Sequence, residues 1–595
     1  MKNITKIVFA CLMLLPIAFY SCVDADPEEV LPYDEHYKGS EDADMAMLGL
    51  YGQFMELAEQ VVILNELKAD LMDVTNQASS DLEEISLNIP SKDNKWVDVT
   101  KFYAVIQNAN DILFNFNKML AEDKMVEEEY NERYSDVAAL RCWVYLQLGL
   151  LFGEVPYITE PIISLDDLDK YKDNTMSLDE LIPELIRVME ATPSFPELKP
   201  YESSNLIQTI DGYSLARFFL DKRCLMGDLY LFNDEYEKAA EKYYDVLTAT
   251  DDVSRLKLYN YTHTGTSAPS WFAIVYRDGK SDDTDAYWNT WAELFHSTTT
   301  NRYTGDEIIW CMTFNPDFAP EYPFTDLFYT GWQLKPSDYA DEEVWGGETQ
   351  KNGFPFDARG RSGGYKTLTG GLETINYIIK FGRSSLSQNW ILYRAGMLHL
   401  RYAEAVNRAG YSKLAWALVN GGLGSQSPTA GDCPYRYRRE DGTIYPGDSV
   451  YLTGNSPFDL HSAPYAFDGR RDANLGLAQP WRSNGGVRGR ASLTNFPFSP
   501  NPADGAVIDY QEPNVNNKEL IEYLEEKIIR EAALELGFEG HRWGDLVRVA
   551  RRKNKENPGS GDTFLWDENI KKKHERAGTQ ADMSSSDKWF LPLYF

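Results

Sequence analysis

The spacing of small and aromatic residues between Leu215 and Leu247 constrains the fold more than any other feature of the chain. Gly227 and Ala239 stand twelve residues apart, with Leu225, Tyr230 and Tyr243 around them. Two small residues at that separation let two antiparallel helices approach closely, and the tyrosines fill the space beside the crossing. Phe232-Asn233-Asp234-Glu235 supplies the turn between them. Ala403 and Ala415 repeat the same separation. Both spacings are those of a tetratricopeptide-type helical hairpin, so a short helical solenoid is expected.

Helical periodicity covers the first 250 residues. Ser40 opens a helix whose positive end is favoured by Glu41, Asp42 and Asp44, and Met45, Leu48 and Tyr51 follow at helical spacing. A second helix carries Phe102, Ile106, Ala109, Leu113 and Phe116. A third runs from about Tyr134 to Phe152, with Val137, Leu140, Val144, Leu148 and Leu151 inward and Gly153 and Pro156 at its end. From about Thr250 to Thr374 the texture changes. Trp271, Tyr276, Tyr287, Trp288, Trp291, Phe295, Trp310, Phe328, Tyr329 and Trp332 crowd between Gly, Pro and Asp, and only Ile308-Ile309-Trp310 reads as a short strand. Helices are expected again from near Asn389 to Leu418 and from Asn517 to Lys553. Between them, Gly421 to Asn517 is rich in Gly, Pro, Ser, Asn and Arg; a structureless loop of that length is improbable in a compact body, so an ordered insertion is expected.

The first thirty residues describe an export signal. Lys2 and Lys6 precede an apolar run from Ile7 to Phe19, followed by Ser21-Cys22 and the acidic Asp24, Asp26, Glu28 and Glu29. The run is too short to span a bilayer. A cysteine at the cut reads as a bacterial lipoprotein site with Cys22 lipidated, although Phe19 stands where such sites usually carry Leu. Ordinary cleavage that leaves Cys22 a plain thiol is the alternative.

Charge narrows the function. The chain has 58 basic and 92 acidic residues, a net charge of −34. That sign disfavours nucleic acid and other anionic ligands, and it points to neutral or cationic ones. Cys142 and Cys224 sit in apolar helical patterns and read as buried thiols; with Cys311 and Cys433 they form no CxxC pair and no zinc spacing. Gly360-Arg361-Ser362-Gly363-Gly364 fits a nucleophile elbow by letters, but Pro355, Asp357 and Arg359 precede it instead of a buried strand, so it reads as a turn. His399 and His541 have no metal-binding partner at helical spacing and read as structural. No phosphate-binding or dinucleotide motif occurs, and no cofactor is expected.

Several blocks together resemble the SusD/RagB family of outer-membrane lipoproteins. They are Ile529 to Leu546 (IREAALELGFEGHRWGDL), Tyr393-Arg394 with Leu400 to Asn407, Leu140-Arg141 leading to Phe152-Gly153-Glu154-Val155-Pro156, and Trp96 before Tyr103 to Asn110. The resemblance implies a mainly α protein: a tetratricopeptide-like helical-repeat core with an irregular, loop-rich ligand-binding region. On this view residues 1–21 are the signal, 22–39 a lipidated tether and 40–595 the body. Its core would span 40–250, 389–420 and 517–553, its loop-rich region 250–374 and its insertion 421–517, longer than the family's usual connection there. The resemblance also implies a surface-exposed protein, anchored in the outer membrane through lipid on Cys22, that captures an oligosaccharide and passes it to a SusC-like TonB-dependent transporter. Peptide capture is the runner-up, and a scaffold that binds only proteins is an alternative of another class. Within the signature block, Phe538 and Trp543 are expected to anchor a turn, Glu539 and Arg542 to pair on one helix face, and Arg530 and Glu531 to bridge neighbouring helices.

A neutral sugar offers C–H faces for aromatic rings and hydroxyls for polar side chains. Trp271, Tyr276, Asp278, Trp288, Trp291 and Trp332 are therefore the expected ligand contacts. The bland alternative is that large aromatics are core, and Trp310 and Trp96 are expected to be packing. Asp278, Asp282, Asp283 and Asp285 could hold calcium but match no EF-hand loop, so a solvated turn is expected. A glycosidase would need two carboxylates at a defined separation in a cleft, which a helical-repeat body makes unattractive.

Overall fold

The computed structural model describes residues 37–163, 174–195, 217–248, 307–381 (except 318, 352, 362 and 371–372), 388–422, 462–466, 486–500 (except 492) and 512–594, with a few isolated residues between them. Its body is a row of helices: α1 (Ser40–Met55), α2 (Ala58–Leu67), α3 (Thr100–Ala121), α4 (Glu127–Phe152), α5 (Leu178–Glu190), α6 (Lys222–Phe232), α7 (Tyr236–Thr248), α8 (Ala395–Arg408), α9 (Ser412–Val419), α10 (Lys518–Leu536) and α11 (Arg542–Glu556). Successive members pack as α3 on α4, α4 on α5, α5 on α6, α6 on α7, α7 on α8, α8 on α9 and α8 on α10. This is the neighbour-to-neighbour arrangement of a helical repeat.

Side-chain size explains the α6/α7 hairpin. A Cβ built on Gly227 would stand 2.4 Å from the Tyr243 ring, so only glycine lets that ring lie against the α6 backbone. Tyr243 donates its hydroxyl to Asp228 at 2.6 Å, which fixes the ring there. Ala239, Ala403 and Ala415 are fully buried at the matching crossings. Gly153 ends α4 at φ +78, and Phe590 fills the space where its Cβ would be. Helix α4 is buried on nearly every side from Val137 to Phe152, as a central helix must be. It begins at Glu127, a turn or two before the expected Tyr134.

Three expectations are corrected. In α1 the inward face is Ala43, Met47, Leu50, Tyr51 and Phe54, whereas Met45 is 69% exposed. Two interleaved apolar stripes share this helix, and the one through Ala43, Met47, Leu50 and Phe54 takes the core. The helix expected from Asn389 starts only at Ala395. Gln388–Arg394 is instead a strand, antiparallel to Ile308–Phe314 with Trp390 opposite Met312 and Ile391 opposite Cys311. An apolar run that short does not distinguish strand from helix, and the buried partner strand decides. Helical structure also continues past Lys553, to Glu556 in α11 and through Ser560–Leu565 and Lys571–Ala577.

The strands are short and two-stranded in pairing. With β1 as Met72–Val74, β2 as Ile308–Phe314, β3 as Leu334–Pro336, β4 as Tyr365–Gly370, β5 as Glu373–Ile378 and β6 as Gln388–Arg394, the antiparallel pairs are β1–β3, β2–β6 and β4–β5. Trp310 in β2 is buried. It stacks on Phe54 and Tyr393, and its ring N–H donates to Phe218 O at 3.0 Å. Trp96 is 2% exposed. Both are core residues, as expected. Cys142, Cys224 and Cys311 are buried free thiols, and burial pushes the Cys142 and Cys311 thiols up to about 12. Cys22 and Cys433 lie outside the described residues.

The sequence blocks meet in the interior. Arg394 donates to Glu307, Glu535 and Glu539, all buried. Arg359 donates to Asp357, Glu531 and Glu535. The Asp357–Arg359 run ahead of the Gly360 turn is thus part of a buried ionic cluster, and the Trp345 ring occupies the space where a Gly360 Cβ would stand. Glu539 and Arg542 do not pair with each other. Glu539 takes Arg394 and Lys380, and Arg542 takes Asp70 from the α2 side through two contacts of 2.7 Å. The chain turns between them: Phe538 has φ 73 and Gly540 φ 89, so the two side chains leave on different sides. The expected anchoring by buried Phe538 and Trp543 holds. So does the bridging, Arg530 to Glu348 and Glu531 to Arg359 and Arg488.

Candidate functional site

Of the six expected ligand contacts, Trp332 lies within the described residues. Trp271, Tyr276, Asp278, Trp288 and Trp291 lie outside them, as do Asp282, Asp283 and Asp285. Unlike Trp310, Trp345 and Trp390, Trp332 is not buried: its side chain is partly exposed.

The backbone around it explains how a large ring comes to sit at the surface. The segment Asp326–Thr330 forms a single wide helical turn, which ends at Gly331. Trp332 follows with φ +48, in the left-handed region that bulky residues rarely adopt. The chain then enters β3, which pairs with β1 through Leu334 and Val74. On the β1 side, the Thr75 hydroxyl donates to Trp332 O, and the Thr75 N–H donates to Gln333 O at 2.9 Å. Ser79 N–H donates to Gln333 Oε1 at 3.1 Å. The Gln333 amide donates to Asp326 Oδ2 at 2.7 Å, and the Thr330 hydroxyl donates to Asp326 Oδ1 at 3.3 Å.

The rim of this face is polar. Asn76, Gln77, Asp326 and Thr330 are exposed. Glu59 on α2 is only partly exposed, and burial pushes its carboxyl up; Lys95 and Lys101 pull it down, and the nearby Asp326 charge pushes it up again. The β4–β5 hairpin packs beside β3 and the Asp326 turn, with Thr367 donating to Asn376 Oδ1 at 2.6 Å on its exposed side. The arrangement places one partly exposed tryptophan on a backbone held by hydroxyls, amides and the Asp326 carboxylate. Thr75 carried no signal in the sequence because its partners Trp332 and Gln333 lie far away in the chain, and no motif marks the local pair Asp326 and Gln333.

Two cavities elsewhere are less suited to a ligand of this kind. One, of about 30 Å3, is lined by Asn65, Gln147, Arg401 and His541 and has room only for water. The other is an open cleft of about 850 Å3 beside Phe152, Asp179, Arg551 and Phe590, where Arg551 is already paired with Asp179. His399 bonds Ala395 O at 3.0 Å, and burial holds His541 down at about 4. Among the described residues no group of His, Cys, Asp and Glu could hold a metal ion, and no helix is long and apolar enough to cross a membrane.

Fold and site define a mainly α-helical, tetratricopeptide-like protein with one partly exposed tryptophan, Trp332, beside its short strands among the described residues. Comparison with known proteins agrees. The model of the SusD family matches residues 484–594. A SusD-like protein of Formosa agariphila is 22% identical over 452 residues, covering 71% of this chain and 82% of that protein. Another from the same organism is 25% identical over 180 residues, and the match spans only 32% of its length. The C-terminal part of the chain thus matches the SusD family, and most of its length is similar to a SusD-like protein. Among solved structures, the surface glycan-binding protein A from Bacteroides uniformis has the same fold, with a TM-score of 0.53 at 14% identity over 93% of this chain and 96% of that one. A SusD superfamily protein from Bacteroides vulgatus gives 0.52 at 14% identity, over 94% and 96%.

Proposed function

We propose that this protein captures oligosaccharides at the outer face of the outer membrane and hands them uncut to a SusC-like TonB-dependent transporter. The observation that carries the reading is Trp332, a partly exposed tryptophan held at a left-handed backbone position among amides and hydroxyls. A ring so placed offers a flat apolar surface to the C–H face of a sugar, and its rim offers hydrogen bonds to hydroxyls. The SusD family match over residues 484–594 and the fold shared with a surface glycan-binding protein support the same reading.

Trp271, Tyr276, Asp278, Trp288 and Trp291 are proposed to extend the shelf. Lipid on Cys22 is the proposed anchor, with residues 22–39 as tether and 40–595 as body. Capture must be reversible, so affinities of roughly 4 to 8 kcal/mol, millimolar to micromolar, are expected. A glycan array probed with the chain lacking residues 1–22, followed by calorimetry on the glycans retained, tests this. Retention of basic peptides and of no glycan would favour the peptide reading, which the acidic net charge of −34 supports. Co-purification with a barrel and no small ligand at all would favour a protein-only scaffold.

A further inference from the structure

We propose that Asp326 is the positioning residue that presents the Trp332 ring, an inference that rests on the reading of Trp332 as part of the binding face. Asp326 touches both neighbours of the tryptophan. Its backbone carbonyl accepts the Gly331 N–H at 3.0 Å, and its Oδ2 accepts the Gln333 amide at 2.7 Å. Its Oδ1 accepts the Thr330 hydroxyl. Gly331 is packed so closely on this carboxylate that an added Cβ would lie 2.5 Å from Asp326 O and 2.7 Å from Oδ1. The residues on each side of Trp332 are therefore tied to one residue, Gly331 to the Asp326 carbonyl and Gln333 to its carboxylate, which also holds Thr330.

The backbone conformation makes that tie necessary. A left-handed tryptophan is unfavourable by about 1–2 kcal/mol and persists only where its surroundings over-determine it. Thr75 holds the Trp332 carbonyl from β1, and the Asp326 carboxylate joins Thr330 before the tryptophan to Gln333 after it. Without the carboxylate that link is lost, the turn can relax to an ordinary φ, and the ring then leaves its place or samples several places. A ligand would have to order it again, which weakens binding. Asp326 itself need not touch the sugar.

The test separates positioning from binding. In the full chain labelled with 5-fluorotryptophan, the Trp332 fluorine resonance is assigned by its loss in Trp332→Phe. Asp326→Ala is expected to move that resonance toward the free-tryptophan position or split it, with the other tryptophan resonances unchanged. Asp326→Asn, which keeps one acceptor, is expected to restore most of the native shift. Affinity for an array-selected glycan is expected to fall about two- to tenfold in Asp326→Ala, and to fall no further when Asp326→Ala is added to Trp332→Ala. An unmoved Trp332 resonance in Asp326→Ala overturns the positioning role whatever the binding result. A moved resonance, combined with a Trp332→Ala variant that binds as well as wild type, upholds the positioning role and removes Trp332 from the binding face.

Discussion

Arg394 and Glu539 lie 145 residues apart and meet in two hydrogen bonds, Nε to Oε2 at 2.7 Å and Nη2 to Oε1 at 2.8 Å, both side chains buried. Arg394 closes strand β6 and Glu539 sits in the turn between α10 and α11. The pair therefore locks the loop-rich layer to the helical stack. Removing either partner would unbalance the buried cluster, in which Arg394 also meets Glu307 and Glu535 and Glu539 also meets Lys380. Arg394→Ala or Glu539→Ala is expected to cost about 3–5 kcal/mol, read by urea unfolding. A loss under about 1 kcal/mol in both variants would contradict this.

The α6/α7 crossing makes a separate claim. Gly227→Ala would drive a methyl into the Tyr243 ring, which cannot retreat without breaking its bond to Asp228. A loss of about 1–3 kcal/mol is expected despite the better helix propensity of alanine. A stabilised variant would mean that the crossing is looser than described.

These two sites show what was legible in the sequence. The crossing was, because Gly227, Ala239 and Tyr243 are local and their spacing reflects one hairpin. So were the burial of Trp310 beside Ile308 and Ile309 and the buried thiols of Cys142 and Cys224. The ionic partners were not. Glu539 and Arg542 stand three apart and suggest a pair, yet left-handed Phe538 and Gly540 turn the chain and send them to Arg394 and Asp70. Strand β6 was missed because its pairing with β2 spans a stretch with no local signal. Trp332 could be named as a candidate from composition, but Thr75 becomes visible only when β1 and β3 meet, and no motif marks the local turn of Asp326 and Gln333.

Glu66 predicts a pH effect. It is fully buried at the end of α2 and accepts the N–H groups of Phe538, Gly540 and His541 at 2.8–3.1 Å. Burial nevertheless pushes its carboxyl up to about 7. A raised folded-state value means the folded chain holds the proton more tightly. Its contribution is present in full below about 4.5 and is lost as pH rises to about 7. Glu66→Gln removes this titration, so the variant is expected to gain on wild type by up to ~3 kcal/mol between pH 4.5 and 7. The buried His574, held down at about 4, acts in the opposite sense in both proteins and cancels in the comparison. Parallel stability curves would exclude Glu66 as the titrating group.

Trp310 and Trp332 should separate folding from binding. Trp310→Ala empties a packed site and is expected to cost about 3–5 kcal/mol by denaturant unfolding. Trp332→Ala should leave stability within about 1 kcal/mol, because its side chain is partly exposed. Combined Trp288→Ala and Trp291→Ala is likewise expected to weaken glycan retention without unfolding the chain. The reverse pattern, with Trp332→Ala unfolding the protein, would return this tryptophan to the core.

Calorimetric titration of an array-selected oligosaccharide into the chain lacking residues 1–22, with the sugar recovered and sized afterwards, tests the central claim most directly. Saturable binding in the micromolar to millimolar range, lost in Trp332→Ala and returning the sugar at its original length, is the expected result. No binding to any array glycan by a folded chain, or recovery of shortened sugar with new reducing ends, would contradict capture without cleavage.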